Sequence, residues 1–185
     1  MTRLRLARWI PVLLLFAFCA APALAQERAS DDARSSPNAT VSQTIGTTTV
    51  TLTYGRPKVK GRTVFGDLVP YDTVWRTGAN EATTISFSDD VTVNGEPLEA
   101  GTYSLFTVPG EEEWSVIFNS VAQQWGAYDY DDGQDVLRIS ATPESAGMHE
   151  MLTFTFEDVN DGTGTCVMRW AETEVAFTIG TSGGA

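Results

Sequence analysis

The sequence predicts an all-β domain, an antiparallel β-sandwich of immunoglobulin-like or jelly-roll type, with a closed barrel as the second choice. Three observations carry this. Apolar residues recur with a period of two, as where Val50, Leu52 and Tyr54 alternate with threonines. Turn-forming clusters separate the runs: Asn94-Gly95, "PGEEE" at 109–113 and "NDGTG" at 160–164. No stretch of the mature chain shows a convincing helical period.

Taken in order, Arg3, Arg5 and Arg8 precede the apolar run "WIPVLLLFAFCAAPALA", and Ala23-Leu24-Ala25 before Gln26 fits a small-x-small cleavage rule. Residues 1–25 read as a secretory signal peptide, because the run is shorter than the ~20 residues that span a bilayer. The chain is therefore expected to be exported, periplasmic or secreted, with no membrane insertion after cleavage. Residues 26–38, "QERASDDARSSPN", lack apolar periodicity and read as a disordered leader. A single domain follows over 39–180, with a flexible tail at 181–185. Its strands are expected near 40–45, 48–54, 73–76, 83–88, 91–94, 102–108, 114–119, 136–141, 151–158, 165–170 and 173–179, the weakest merging.

Composition narrows the partners. The chain has 12 basic and 24 acidic residues, and cleavage after Ala25 removes three arginines and no acid, giving a net charge of −15. Nucleic acid and anionic lipid are disfavoured, since both are bound through excess Lys and Arg. Only Lys58 and Lys60 are lysines, and so acidic a surface is tolerated best in high salt, where self-repulsion is screened. Cys19 leaves with the signal, so Cys166 stands alone and no intrachain disulfide forms; it shares a strand face with Met168 and Trp170 and reads as core.

One segment stands apart. Residues 54–81, "YGRPKVKGRTVFGDLVPYDTVWRTGANE", gather Arg56, Lys58, Lys60 and Arg62 within seven residues of an otherwise acidic chain. Connections longer than about 12–15 residues without strands of their own are uncommon unless functional. The cations either balance acids elsewhere or, with backbone amides freed by the glycines, surround a carboxylate or phosphate. Its apolar residues Val59, Val64, Phe65, Leu68 and Val69 are expected to dock it on the sandwich and bring Arg56, Lys60 and Arg62 near Arg76, Asn80 and Glu81. That last trio either makes local ion pairs (Arg76 with Glu81 or Asp72) and backbone caps, or forms a polar ligand cluster. Trp125 and Tyr128 in "QQWGAYDY" add a candidate stacking surface for sugar rings.

The run "YGRPKVKGRTVFGDLVPYDTVWRTGANEATTISFSDDVTVNGEPLEAGTYSLFTVPGEEEWSVIFN", followed by "QWGAYDYDDGQDVLRI", resembles the domain-of-unknown-function family 2911 of exported bacterial proteins over roughly residues 40–180. The resemblance implies no established activity and carries over no catalytic residue. It supports the domain boundaries and marks the 54–81 segment as a signature.

Enzyme chemistry finds little footing. There is no P-loop, no G-x-S-x-G and no dinucleotide fingerprint, and His149 is the only histidine, in the loop-like "PESAGMHEM". Asp129, Asp131, Asp132 and Asp135 lack the spacing and distal glutamate of an EF-hand and read as a solvated acidic turn, with a non-EF calcium site as the alternative. No cofactor and no metal are expected. The sequence favours a non-catalytic binding module for an anionic or sugar-like small molecule, or an envelope component. A glycan hydrolase using Glu81, Asp72 or Asp67 as acid and base, and a structural envelope protein, are the alternatives. If the acidic surface is an adaptation to salt, the melting temperature of the mature chain rises between low and molar salt; an unchanged value removes that reading.

Overall fold

The computed structural model describes residues 34–181, and within them the chain forms two antiparallel sheets facing each other, not a closed barrel. The larger sheet contains β1 (Asn38–Ile45), β2 (Thr48–Gly55), β3 (Thr83–Phe87), β6 (Gly101–Val108), β7 (Trp114–Asn119) and β8 (Asp135–Ala141), in the order β1-β2-β3-β6-β7-β8. The smaller contains β4 (Val91–Val93), β5 (Glu96–Leu98), β9 (Glu144–Glu157) and β10 (Thr163–Thr181), in the order β5-β4-β10-β9. No α-helix occurs among the described residues. The alternation seen in the sequence is the alternation of burial. Val50, Leu52 and Tyr54 of β2 face Leu152 and Phe154 of β9 in one core, with Phe156 packed at its edge. Tyr54 ties the layers directly: its hydroxyl accepts from the Phe154 amide at 3.0 Å, and its ring meets Phe154 edge-on at 4.8 Å.

The predicted turns form where their residues require them. Asn94 and Gly95 both take positive φ, 49° and 89°, as a two-residue hairpin of the I′ type needs, and they join β4 to β5. The segment β5 escaped the sequence reading because three residues including Pro97 show no alternation; Pro97 is tolerated because β5 is an edge strand.

Three predicted elements change. The stretch 73–76 is not a strand; it contributes one bridge, Trp75 to Thr107. The stretches 165–170 and 173–179 are one strand, β10, whose register slips at Ala171, where φ is 53°. The slip explains why they read as two: inward positions are even before it (Cys166, Met168, Trp170) and odd after it (Val175, Phe177, Ile179), and a bulge is the device that changes that parity. The segment containing His149 is the first half of β9 and not a loop, with His149 paired to Ala171. It pairs with the bulged half of β10, so its residues lack a clean period of two.

Arg169 holds the two sides of this bulge together. Its guanidinium bonds Glu157 of β9 through both terminal nitrogens and Glu174 beyond the bulge through Nε. The Arg169 bonds, joined by the Thr155 hydroxyl, lower the Glu157 carboxyl from 4.5 to about 2. A depressed carboxyl contributes stability that is complete above its unfolded value and is lost as pH falls from about 4.5 through about 2. Carboxyl NMR titration is expected to place Glu157 near that lower value and to return it to the ordinary range in Arg169→Ala.

Candidate functional site

The connection from β2 to β3 closes the end of the sandwich at which β2 and β6 finish and β3 and β7 begin. It first adds a short bridge to the edge of β9: the Val59 amide donates to Glu150 O at 2.8 Å and the Leu152 amide to Pro57 O at 3.1 Å. Lys60 and Gly61 then reverse the chain with φ of 50° and 68°, and the Arg62 amide closes the turn on Val59 O. A second turn carries Phe65 into the core. There its ring meets Trp114, Trp75 and Trp170 edge-on at 4.8, 5.9 and 5.9 Å, and Trp75 stacks on Trp170 at 5.7 Å.

After Trp75, whose amide and carbonyl both bond Thr107, the "RTGANE" run packs backbone against backbone. Thr77 and Asn80 take positive φ, 52° and 66°. The Thr83 hydroxyl donates to Thr77 O at 2.8 Å, and the Trp75 indole N–H donates to Gly78 O at 3.1 Å. Ala79 passes so close to Gly55 that a Cβ at Gly55 would lie 2.2 Å from Ala79 O. The glycines of this stretch therefore serve packing.

Between the two halves of the connection lies a cavity of about 290 Å³. Lys58, Lys60, Arg62 and Arg76 line it, with Ser35 and Ser36 from the leader; the rest of its wall is mostly apolar, including Pro57, Leu68, Trp75 and Trp170, and among the described residues no carboxylate lines it. Arg62 is braced by its own turn, Nε donating to Val59 O at 2.9 Å and Nη2 to Lys58 O at 2.6 Å. Arg76 is different. Arg34, Arg56, Arg62, Arg138 and Arg169 all donate through their guanidinium groups, and Arg76 alone among the described arginines does not. Burial pushes its pKa down, with Tyr128 opposing, and its Nε is buried without a partner. Three buried side-chain polar atoms among the described residues lack partners, and two of them, Arg76 Nε and Trp170 Nε1, belong to residues of this cavity wall.

A family model matches residues 36–179, from the docked end of the leader to the last strand. The chain belongs to the family described as "Protein of unknown function (DUF2911)". No curated protein and no solved structure matches it. The DUF2911 match spans every cavity residue except Ser35.

Of the residues singled out in the sequence, the structure brings Lys60, Arg62 and Arg76 to one cavity and sends the others elsewhere. Arg56 faces β9, donating to Leu152 O and Thr153 Oγ1, both at 2.8 Å. Glu81 is buried and takes both terminal nitrogens of Arg34, at 2.6 and 2.8 Å, in place of the expected pair with Arg76. Asn80 donates to Ser36 O at 3.1 Å, and the Arg56 amide to Pro37 O at 2.8 Å. Residues 34–38, read from sequence as part of an unstructured leader, are thus tied to the connection and supply one side of the cavity. Trp125 and Tyr128, 57 % and 85 % exposed, lie outside its wall; their loop reaches the connection through backbone bonds to Asn80 and Ala82. Asp67 and Asp72 are exposed and also outside it.

The acidic loop has structural partners of its own. Asp131 caps a 3-10 turn at Asp132–Gln134, and Asp135 accepts from Tyr130, Arg138 and Asn119. Among the described residues no group of three or more His, Cys, Asp or Glu is placed to hold a metal ion.

Sequence reasoning missed Ser35 and Ser36 as cavity residues, and it treated Trp75 and Trp170 only as core. It noticed Lys58 as a cation without assigning it to the site. Two substitutions test the scaffold. Gly55→Ala is expected to cost about 1–3 kcal/mol in urea denaturation through backbone overlap, while Gly147→Ala, with open space around it, stays within about 0.5 kcal/mol. Glu81→Gln removes the carboxylate from the Arg34 pair and is expected to cost about 2 kcal/mol in the same measurement.

Proposed function

We propose that this DUF2911 chain is an exported, non-catalytic binding module that holds a small anion in the cavity of the β2–β3 connection. The observation that carries the proposal is the charge of the wall: four cations and, among the described residues, no carboxylate, on a chain whose acids outnumber its bases two to one. Glu150 meets this cluster through the Lys60 amide at 3.0 Å, and a cluster of cations with no ion pair among the described residues lowers its energy by taking an anion. Arg76 supports the same reading, because a half-buried guanidinium that makes no hydrogen bond to the described residues gains charge-assisted bonds through its terminal nitrogens when an oxyanion arrives. The walls that present these groups are packed into the core, so the site is pre-formed. A carboxylate-dependent hydrolase is less well supported, since among the described residues no carboxylate lines the cavity.

Thermal shift of the mature protein against carboxylates, phosphates and uncharged sugars tests the proposal. An anion at a hundred times its Kd is expected to stabilise by about 2.7 kcal/mol, or roughly 5–10 °C for a domain of this size. Arg76→Gln is expected to abolish that shift while leaving the ligand-free melting temperature nearly unchanged, because Arg76 makes no hydrogen bond in the free protein. A full shift retained in Arg76→Gln, or stabilisation by sugars alone, contradicts the proposal.

A further inference from the structure

The cavity's composition also limits which anion it takes, an inference that rests on the binding reading above. We infer that it takes a phosphate monoester with a compact apolar body. Three features point to it. The first is charge: a singly charged carboxylate leaves most of four clustered cations uncompensated, whereas a phosphate monoester carries close to two negative charges at neutral pH. The second is the donor set. Three terminal phosphoryl oxygens accept from several directions at once, matching the terminal nitrogens of Arg76, two flexible ammonium groups at Lys58 and Lys60, and the leader's serine hydroxyls. The third is the remainder of the wall. Pro57, Leu68 and Trp75 present apolar surface that a bare ion would leave wet, and Leu68 is 41 % exposed.

Size sets the upper limit. About 290 Å³ lies at the bottom of the range of small-molecule sites, which suits one phosphoryl group and one small ring and excludes a polymer segment buried end to end. The chemistry required is binding alone; no bond forms or breaks.

The test is isothermal titration of the mature protein with phenyl phosphate, phenyl sulfate and inorganic phosphate at one pH and low salt. Phenyl sulfate has the same shape with a single charge, and inorganic phosphate has the charge without the body. Phenyl phosphate is expected to bind at least tenfold more tightly than either. Leu68→Ser, at an exposed position, is expected to narrow the gap between phenyl phosphate and inorganic phosphate, while Arg76→Gln weakens both. Equal affinity for phenyl sulfate overturns the charge argument, and equal affinity for inorganic phosphate overturns the apolar body. If none of the three binds while another anion still stabilises the protein, this inference fails and the anion-binding reading stands. If no anion binds at all, both fail together.

Discussion

The insertion of Phe65 among Trp75, Trp114 and Trp170 is the contact on which the site depends. A connection of more than 25 residues without a strand of its own would ordinarily wander over the surface, since each ordered residue costs about 1–2 kcal/mol of backbone entropy. Here Val59, Val64, Val69 and Trp75 join the main core, and burying each such side chain returns about 1.5–3 kcal/mol. Phe65 couples the two halves of the connection, because it touches Trp75 from the second half and Trp114 and Trp170 from the two sheets. With those apolar residues turned inward, Lys58, Lys60 and Arg62 have only the outer side of the connection left to them. The concentration of positive charge thus follows from packing.

What distinguishes this cluster from ordinary surface charge is how the other arginines are used. Arg34 closes the leader onto Glu81, Arg56 anchors the start of the connection to β9, Arg138 neutralises Asp135, and Arg169 clamps the β10 bulge. Each of these is explained by an acceptor within the fold. Arg62 is held by backbone carbonyls, which orient it without cancelling its charge. Arg76 has no such acceptor among the described residues, and no described carboxylate lines the wall it belongs to. Folding alone gives no reason to keep a half-buried guanidinium in that state, because a buried polar group without a partner is destabilising.

Much of the fold was legible because alternation and turn chemistry are local. Val50, Leu52 and Tyr54 reveal a half-buried strand by themselves, and Asn94-Gly95 reveals its hairpin by itself. The reading broke where structure is set by distant partners. The bulge at Ala171 splits one strand into two apparent ones and hides the strand nature of the segment around His149 opposite it. The site was legible in part: the run from Arg56 to Arg62 is conspicuous in an acidic chain, and Phe65 with its valines signals docking. The fate of Arg56 and Glu81 was not legible, since it is decided by Leu152, Thr153 and Arg34, 96, 97 and 47 residues away in sequence. Nor does anything in "RSSPN" announce that a polar leader will form a cavity wall.

The central claim is that this connection is a fixed wall whose cations, with Arg76 among them, line a cavity that takes an anion. The most direct measurement is a crystal structure of the mature protein grown with selenate, a doubly charged oxyanion located by its anomalous signal. The account predicts a peak inside the cavity within hydrogen-bond distance of the Arg76 guanidinium, with Phe65 and Trp75 unmoved. Selenate found only on the outer surface, with Arg76 turned onto a carboxylate, would contradict it.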